Sequence, residues 1–187
     1  MNTRLQFYLL VALFFGPLVV AWIWFFYFQD VRPGTVNKGD LVMPVVSLAD
    51  IQLYERDATE AATPFAADWS IVLLAPEMCD EACERALYLT RQVWIRLNKD
   101  ADRVQRVLLA GADTTYPEAE HRDLRVFDLD TNALARFTDS ERDALAGAER
   151  IYLVDPQGNL MMSYPLDFTP DMLNDDLKRL LKYSDAG

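Results

Sequence analysis

The sequence predicts an α/β domain, a mixed sheet flanked by helices, preceded by one N-terminal transmembrane helix. Three observations support this: an uncharged apolar run near the N-terminus, an apolar strand–helix–strand order in the middle of the chain, and a hairpin followed by a helix near its end. A length of 187 residues accommodates one domain of ordinary size beyond such a helix.

The apolar run extends from Leu5 to Phe28 and contains no charged residue. It is long enough to cross the hydrocarbon core of a bilayer, which takes about 20 helical residues. A secretory signal peptide has a shorter apolar region, about 7–15 residues, and ends at a small-residue cleavage site, whereas this run ends in aromatic residues. We therefore expect an uncleaved anchor, with residues 1–4 as a short tail, 5–28 as the transmembrane helix, 29–40 as a linker and 41–187 as the folded domain.

The charge balance excludes some partners. Arg4 is the only charged residue through Phe28, so the rest of the chain carries 17 basic and 29 acidic residues, a net charge of −12. Such a domain avoids nucleic acid and anionic membrane surfaces. Arg4 precedes the span while Arg32 and Lys38 follow it, so the positive-inside rule gives little guidance on orientation.

The folded part follows a recognisable order. The apolar run 69–75 predicts a buried strand, and the helical spacing of apolar residues after it predicts an amphipathic helix. The second apolar run, 104–110, predicts a parallel neighbouring strand, joined to the first by a right-handed crossover. This order, closed by a hairpin and a helix, is that of a thioredoxin-like domain. The predicted elements are strands at 41–48, 69–75, 104–110 and 124–127, a loop at 58–67, a helix at about 80–97, short helices between 131 and 147, a hairpin of 151–154 and 160–164, and a helix opened by Thr169 and Pro170.

Both cysteines of the chain, Cys79 and Cys83, fall between the first core strand and its helix. A helix N-terminus favours the thiolate, which attacks disulfides and binds metals. Two soft thiolates on one helical face suit Cu(I) or, with more ligands, Zn(II), and the same sulfurs can close a disulfide if the first turn adjusts. The surrounding carboxylates of Glu77, Asp80, Glu81 and Glu84 oppose a thiolate but favour a bound cation.

The chain resembles the Sco/SenC group of membrane-anchored, thioredoxin-fold proteins that serve cytochrome c oxidase assembly. The resemblance rests on the anchor, the apolar strand Ile71 to Leu74, the C-x-x-x-C spacing and the hairpin Tyr152 to Gly158. It implies a metallochaperone or assembly factor rather than an enzyme, with oxidase subunits or assembly factors as partners. It also implies a single-pass protein of the cytoplasmic membrane whose C-terminal domain lies in the periplasm.

The resemblance implies copper as the cofactor, with Cys79 and Cys83 as its ligands. The group's copper-binding histidine has no counterpart here, because its neighbourhood, residues 146–150, holds no histidine, and Glu84 replaces the proline that follows the second cysteine. His121 and Met78 are the candidates for a third ligand. High-affinity Cu(II) is therefore not expected, whereas Cu(I) bound by the two thiolates stays open.

Three hypotheses stay open. The first is a copper-binding or copper-sensing assembly factor. The second is a thiol–disulfide oxidoreductase with Cys79 as the attacking and Cys83 as the resolving sulfur. The third is a non-catalytic scaffold in which the two cysteines form a structural disulfide.

Other charged groups are expected at the surface. A lone loop histidine is usually solvated, so His121 is expected there unless it folds over to complete a copper site. Arg106 and Asp176 are also expected to face solvent, the latter on the acidic face of the last helix.

Overall fold

The computed structural model describes residues 3–27, 37–65, 67–75, 79–111, 113–129, 139, 143 and 150–184. The chain divides into two units, Met1–Val36 and Asn37–Gly187. The first contains helix α1, Thr3–Tyr27, within which Arg4–Ile23 is long and apolar enough to cross a membrane. The predicted N-terminal helix is thus confirmed, and it starts at Thr3.

The second unit is built on a six-stranded mixed sheet. Its strands and helices are β1 (Asp40–Ser47), β2 (Leu53–Tyr54), β3 (Ala61–Ala62), β4 (Trp69–Ala75), α2 (Glu81–Arg96), β5 (Val104–Ala110), β6 (Leu124–Asp128), β7 (Arg150–Val154), β8 (Asn159–Pro165) and α3 (Pro170–Tyr183), with 3₁₀ helices at Asn98–Arg103 and Glu118–Glu120.

The strand order of the sheet is β1-β8-β7-β4-β5-β6. Strands β4, β5 and β6 are parallel, β7 is antiparallel to β4, and β8 and β1 complete antiparallel pairs. The predicted thioredoxin-like mixed sheet is confirmed. Because β4 is central and covered on both faces, all seven of its residues are buried, which explains its continuous apolar sequence.

The core lies in two layers, one on each face of the sheet. Ile71 and Leu73 of β4 face the layer that contains the apolar side chains of α2 and α3. Val72 and Leu74 face the opposite layer, which contains apolar residues around the β2–β3 hairpin: Leu48, Ile51, Leu53 and Phe65. This alternation follows from the two-residue period of a strand.

The hairpin between β7 and β8 forms as predicted. Asp155 Oδ1 accepts hydrogen bonds from the backbone N–H groups of Gln157 (3.0 Å) and Asn159 (2.8 Å). Gly158 has a φ of +81°, and a Cβ there would lie 2.6 Å from Ala49 Cα. Both the backbone conformation and the close approach therefore require glycine at this position.

One prediction about the elements differs from the structure, and another lies mostly outside the described residues. The segment 58–67, predicted as a loop, contains β3, because a two-residue strand has too few residues to show a period. The short helices predicted between 131 and 147 lie outside the described residues except for Asp139 and Asp143, both helical.

The expectation that Asp176 faces solvent is wrong. Its side chain on α3 is 1% exposed, and its Oδ2 accepts hydrogen bonds from Lys38 N (2.8 Å), Gly39 N (2.9 Å) and Tyr164 Oη (3.0 Å). This carboxylate supplies the acceptor for two backbone donors at the start of β1. It thereby fastens the beginning of the folded unit to α3.

Candidate functional site

The two cysteines lie where strand β4 gives way to helix α2. Asp80 is the N-cap of α2, and its Oδ1 accepts a hydrogen bond from Cys83 N at 3.0 Å. Its backbone carbonyl accepts the next hydrogen bond, from Glu84 N at 2.9 Å. Cys79 therefore precedes the helix while Cys83 lies in its first turn. The cap turn, not a shared helical face, brings them together.

Cys79 and Cys83 form a disulfide, with their Cα atoms 5.1 Å apart. They are 7% and 5% exposed and belong to the core layer that contains the side chains of α2 and α3. The sequence left open a disulfide, a metal pair or a free dithiol, and the structure shows the disulfide. A reductant or a partner thiol must therefore reach sulfurs that are largely covered.

The surface beside the disulfide carries charge of both signs. Asp80, Glu81 and Glu84 are exposed at the start of α2, where carboxylates are stabilised by the helix dipole. Arg85 is the exposed cation next to them. A groove of about 260 Å³ lies beside this turn; its lining residues are Ala82, Arg85, Pro165, Leu166 and Asp167.

In the part of the chain that the structure describes, the soft donors for a metal at this site are the two sulfurs of Cys79 and Cys83. Among the residues that the structure describes, no three of the His, Cys, Asp and Glu side chains come together in a metal-binding group. Two thiolates, freed by reduction, fit Cu(I), which prefers soft sulfur ligands, but they do not fit the nitrogen and oxygen set that Cu(II) prefers. Met78 lies outside the described residues, and its role as a third ligand stays a prediction.

The expectation that His121 is a solvated surface residue is wrong, because the side chain is 3% exposed. It lies in the connection between β5 and β6, where its backbone carbonyl accepts a hydrogen bond from Leu124 N. Its Nδ1 is buried and has no hydrogen-bond partner. Burial lowers the pKa of His121, and the neighbouring Arg106 lowers it further. Arg106 is thus a near neighbour of His121, and the role of His121 as a third copper ligand stays a prediction.

The expectation that Arg106 lies at the surface is also wrong. Its side chain is 1% exposed, beneath α2. Nη1 donates to Asp123 Oδ2 at 2.6 Å, and Nη2 donates to Leu87 O at 2.7 Å and Thr90 Oγ1 at 3.1 Å. Burial lowers the pKa of Arg106, while the Asp123 carboxylate acts in the opposite direction.

Sequence reasoning missed this ion pair, although one signal was present. Arg106 shares the two-residue period of Val104 and Leu108, so it belongs to the same face of β5 as these core residues. Leu87 is one helical turn beyond Cys83, so the arginine holds the part of α2 next to the disulfide.

A mixed sheet of this order, with a disulfide between the first parallel strand and its helix, defines a thioredoxin-like protein. Residues 69–184 match the family described as transmembrane-like, thioredoxin-like, C-terminal domain, and the chain belongs to this family. No curated protein matches the sequence.

The fold is similar to solved Sco structures. Apo Sco1 from Thermus thermophilus has a TM-score of 0.59 at 15% identity, over 80% of this chain and 99% of that one. Yeast Sco1 with copper bound has a TM-score of 0.58 at 14% identity, over 74% and 95%. BsSco, described with a disulfide switch, has a TM-score of 0.51 at 12% identity, over 76% and 96%. The predicted resemblance to Sco/SenC proteins is thus confirmed in the fold.

Proposed function

We propose that this chain is a membrane-tethered factor of cytochrome c oxidase assembly that works by opening and closing the Cys79–Cys83 disulfide. In its reduced form it holds Cu(I). The observation that carries the proposal is the Cys79–Cys83 disulfide at the junction where β4 is followed by α2. The likeness to BsSco supports it, because that protein is described as having a disulfide switch and as a member of a family of cytochrome c oxidase assembly proteins.

The thiol reaction is a two-electron exchange with a partner dithiol. A partner thiolate attacks Cys79 Sγ, the bond between the two sulfurs breaks, and Cys83 leaves as a thiolate in the first turn of α2, where the helix N-terminus stabilises negative charge. The partner's second thiolate then attacks its own sulfur in the mixed disulfide and releases Cys79. The partner ends as a disulfide, and this chain ends as a dithiol that takes up the two protons.

Cu(I) is the cargo that the reduced pair suits. The two thiolates supply the soft donors that Cu(I) prefers. The exposed carboxylates of Asp80, Glu81 and Glu84 lower the energy of a cation at this end of α2 and disfavour an unmetallated pair of thiolates. This charge distribution favours a copper carrier over a strongly nucleophilic oxidoreductase.

The remaining parts of the proposal concern location. The helix α1 anchors the chain in the cytoplasmic membrane, and the acidic domain lies in the periplasm. There it meets oxidase subunits or other assembly factors. The length and apolar composition of Arg4–Ile23 support the anchor, and the resemblance to Sco/SenC proteins supports the side of the membrane.

The decisive experiment is a Cu(I) titration of the reduced full chain in detergent against a competing chelator. We expect one tightly bound Cu(I) per chain, lost in Cys79→Ser/Cys83→Ser and retained in Ala82→Ser, which adds a hydroxyl between the two cysteines but leaves both thiols. Retention of Cu(I) by the double cysteine variant would contradict the proposal. The same titration of His121→Ala and Met78→Leu tests each third-ligand candidate.

The burial of both cysteines favours one alternative, a scaffold whose disulfide is structural. The reduction potential separates the two functions. A potential of about −120 to −270 mV belongs to a protein that exchanges thiols, whereas one below about −300 mV belongs to an inert structural disulfide. Equilibration of the full chain with glutathione buffers measures it, and the scaffold also predicts that Cys79→Ser/Cys83→Ser still supports oxidase assembly in cells.

A further inference from the structure

Strand β1 carries three exposed aliphatic side chains within five residues. Leu41 is 43% exposed, Met43 is 72% exposed and Val45 is 64% exposed. We call these three residues the β1 apolar patch. The other large exposed hydrophobic side chains described in the second unit are scattered singly: Tyr54, Tyr88, Ile95 and Tyr183. A cluster of exposed apolar groups marks an interaction surface, whereas single ones do not.

The patch lies at a border of the sheet. β1 is the terminal strand of the order, and β8 is its partner. Val42 and Val46 alternate with the patch residues and pack against the core. One face of β1 is therefore held against the domain, and the patch lies on the other face. Pro44 lies within the patch and has no N–H to donate, which disfavours the addition of another strand along this edge.

The position of β1 in the chain points to what covers the patch. Residues 28–36, between the last residue of α1 and the second unit, span at most roughly 30 Å when fully extended. Lys38 and Gly39 are then fastened to Asp176 by hydrogen bonds of 2.8 and 2.9 Å. β1 is therefore the first element after α1 among the residues that the structure describes, and its start is fixed on the domain.

The net charge of the domain distinguishes between the surfaces that could cover the patch: a second copy of the domain, an anionic lipid surface and an uncharged or zwitterionic lipid surface. The net charge of −12 outside the anchor makes two copies of the domain repel each other, and it makes an anionic lipid surface unfavourable. An uncharged or zwitterionic lipid surface has neither disadvantage. A short tether also holds the patch at an effective concentration on the order of millimolar, so weak apolar contact suffices.

We propose that the β1 apolar patch docks on the zwitterionic lipid surface of the membrane to which α1 anchors the chain. Leu41, Met43 and Val45 enter the interfacial region, while the acidic remainder of the domain faces water. The proposal does not depend on copper binding or on thiol exchange.

The test places a nitroxide on the full chain in phosphatidylcholine nanodiscs. A p-acetylphenylalanine residue introduced at position 43 carries the label, so the disulfide is untouched. The matched control replaces Tyr88, an exposed residue of α2, and the reference replaces Val19 within α1. Collision of each nitroxide with oxygen, which concentrates in lipid, is compared with collision with a water-soluble nickel chelate.

We expect the label at position 43 to collide several-fold less with the nickel chelate than the label at position 88, and Leu41→Ser/Val45→Ser to remove this difference. Equal chelate collision at 43 and 88 overturns the proposal. Frequent collision of the nickel chelate with the label at position 19 also overturns it, because α1 would then not lie within the bilayer. Spin–spin broadening at 43 that requires two copies per disc also overturns it, in favour of a second chain as the occupant.

Discussion

Buried polar side chains fasten the elements that surround the disulfide. Arg106 holds α2 through Leu87 O and Thr90 Oγ1, and Asp123 balances its charge. Asp123 also accepts a hydrogen bond from Arg91 of α2 at 3.2 Å. These contacts join α2, β5 and the connection before β6 at one point. The disulfide therefore lies on a helix whose position on the sheet is set by an ion pair as well as by apolar packing.

Replacing Arg106 tests this role. We expect Arg106→Met to lower the free energy of unfolding by about 3 kcal/mol, because Asp123 loses a buried partner and two acceptors of α2 lose their donor. Urea unfolding of the full chain in detergent measures the change. The matched control is Arg96→Met, whose exposed pair with Asp171 contributes less than about 1 kcal/mol. Equal losses in both variants would contradict the structural role of Arg106.

His121 predicts a dependence of stability on pH. Burial and Arg106 lower the pKa of His121 in the folded state below its ordinary value of about 6.5. The charged groups around it are Arg106 of β5, Arg91 of α2, and Asp123 and Glu120 of its own connection. Because the unfolded chain binds the proton more readily, the stabilisation is fully present above pH 6.5 and is lost as the pH falls towards the folded-state pKa.

The measurement is the difference in free energy of unfolding between the wild type and His121→Gln across pH 5 to 8. We expect this difference to fall as the pH decreases below about 6.5, because glutamine does not titrate. A difference that stays constant over this range would show that the histidine titrates normally in the folded protein.

At the scale of the element, the cap of α2 connects helix stability with the chemistry of the disulfide. Asp80 follows Cys79 in sequence, and its carboxylate accepts the hydrogen bond from Cys83 N. We expect Asp80→Ala to cost about 1 kcal/mol of stability through loss of the cap. Asp80→Asn keeps a capping oxygen, so it should restore most of that stability.

The asparagine variant also isolates the effect of charge. Removing the negative charge favours the thiolates of the reduced pair, so we expect the reduction potential of Asp80→Asn to be higher than that of the wild type. Glutathione equilibration measures both potentials. An unchanged potential would show that the Asp80 carboxylate is fully screened by solvent.

The end of the sheet next to the disulfide is also the end at which β1 begins. β4 ends at Ala75, shortly before Cys79, and β1 begins at Asp40, paired with Ser163 near the end of β8. β8 and β4 run in the same direction because both are antiparallel to β7. The start of β1 and the disulfide therefore share one end of the sheet.

At the scale of the whole molecule, the core does not depend on the disulfide. The bond joins residues that are four apart in sequence. Closing such a small loop contributes only about 2 kcal/mol by restricting the unfolded chain. The two core layers are extensive by comparison, with Leu, Ile and Val side chains from the six strands of the main sheet, from β2 and from two helices.

We therefore expect the reduced chain to stay folded, with a free energy of unfolding about 2 kcal/mol lower than that of the oxidised chain. Near-ultraviolet circular dichroism and urea unfolding with and without reductant measure this, with Cys79→Ser/Cys83→Ser as a control that reductant leaves unchanged. Cooperative unfolding on reduction would support a structural disulfide and weaken the proposed cycle of opening and closing.

The periodicity of apolar residues and the order of the predicted elements along the chain were sufficient to predict most of the strands and helices. The run Trp69 to Ala75 is continuous and apolar, and it is the central strand. The spacing that predicted a helix at about 80–97 describes α2, and Thr169 with Pro170 marks the start of α3. These signals are local, because a strand or helix shows its buried face in its own residues. The two-residue strands β2 and β3 show no such pattern.

The candidate site was predictable only in part. The sequence placed Cys79 and Cys83 at the strand–helix junction, since the turn between two predicted elements is itself visible in the chain. It did not decide between a free pair and a disulfide, because that depends on the 5.1 Å separation of two Cα atoms across the cap turn.

What the sequence by itself determined is the apolar N-terminal helix, the order of the main elements and the position of the two cysteines. The tertiary structure decided the burial of Arg106, His121 and Asp176, each of which the polar or charged character of its side chain assigns to the surface. The physical reason is that a polar side chain can be buried only where partners or neighbouring elements compensate its lost hydration. Those partners, Asp123 for Arg106 and the amides of residues 38 and 39 for Asp176, come from elsewhere in the chain.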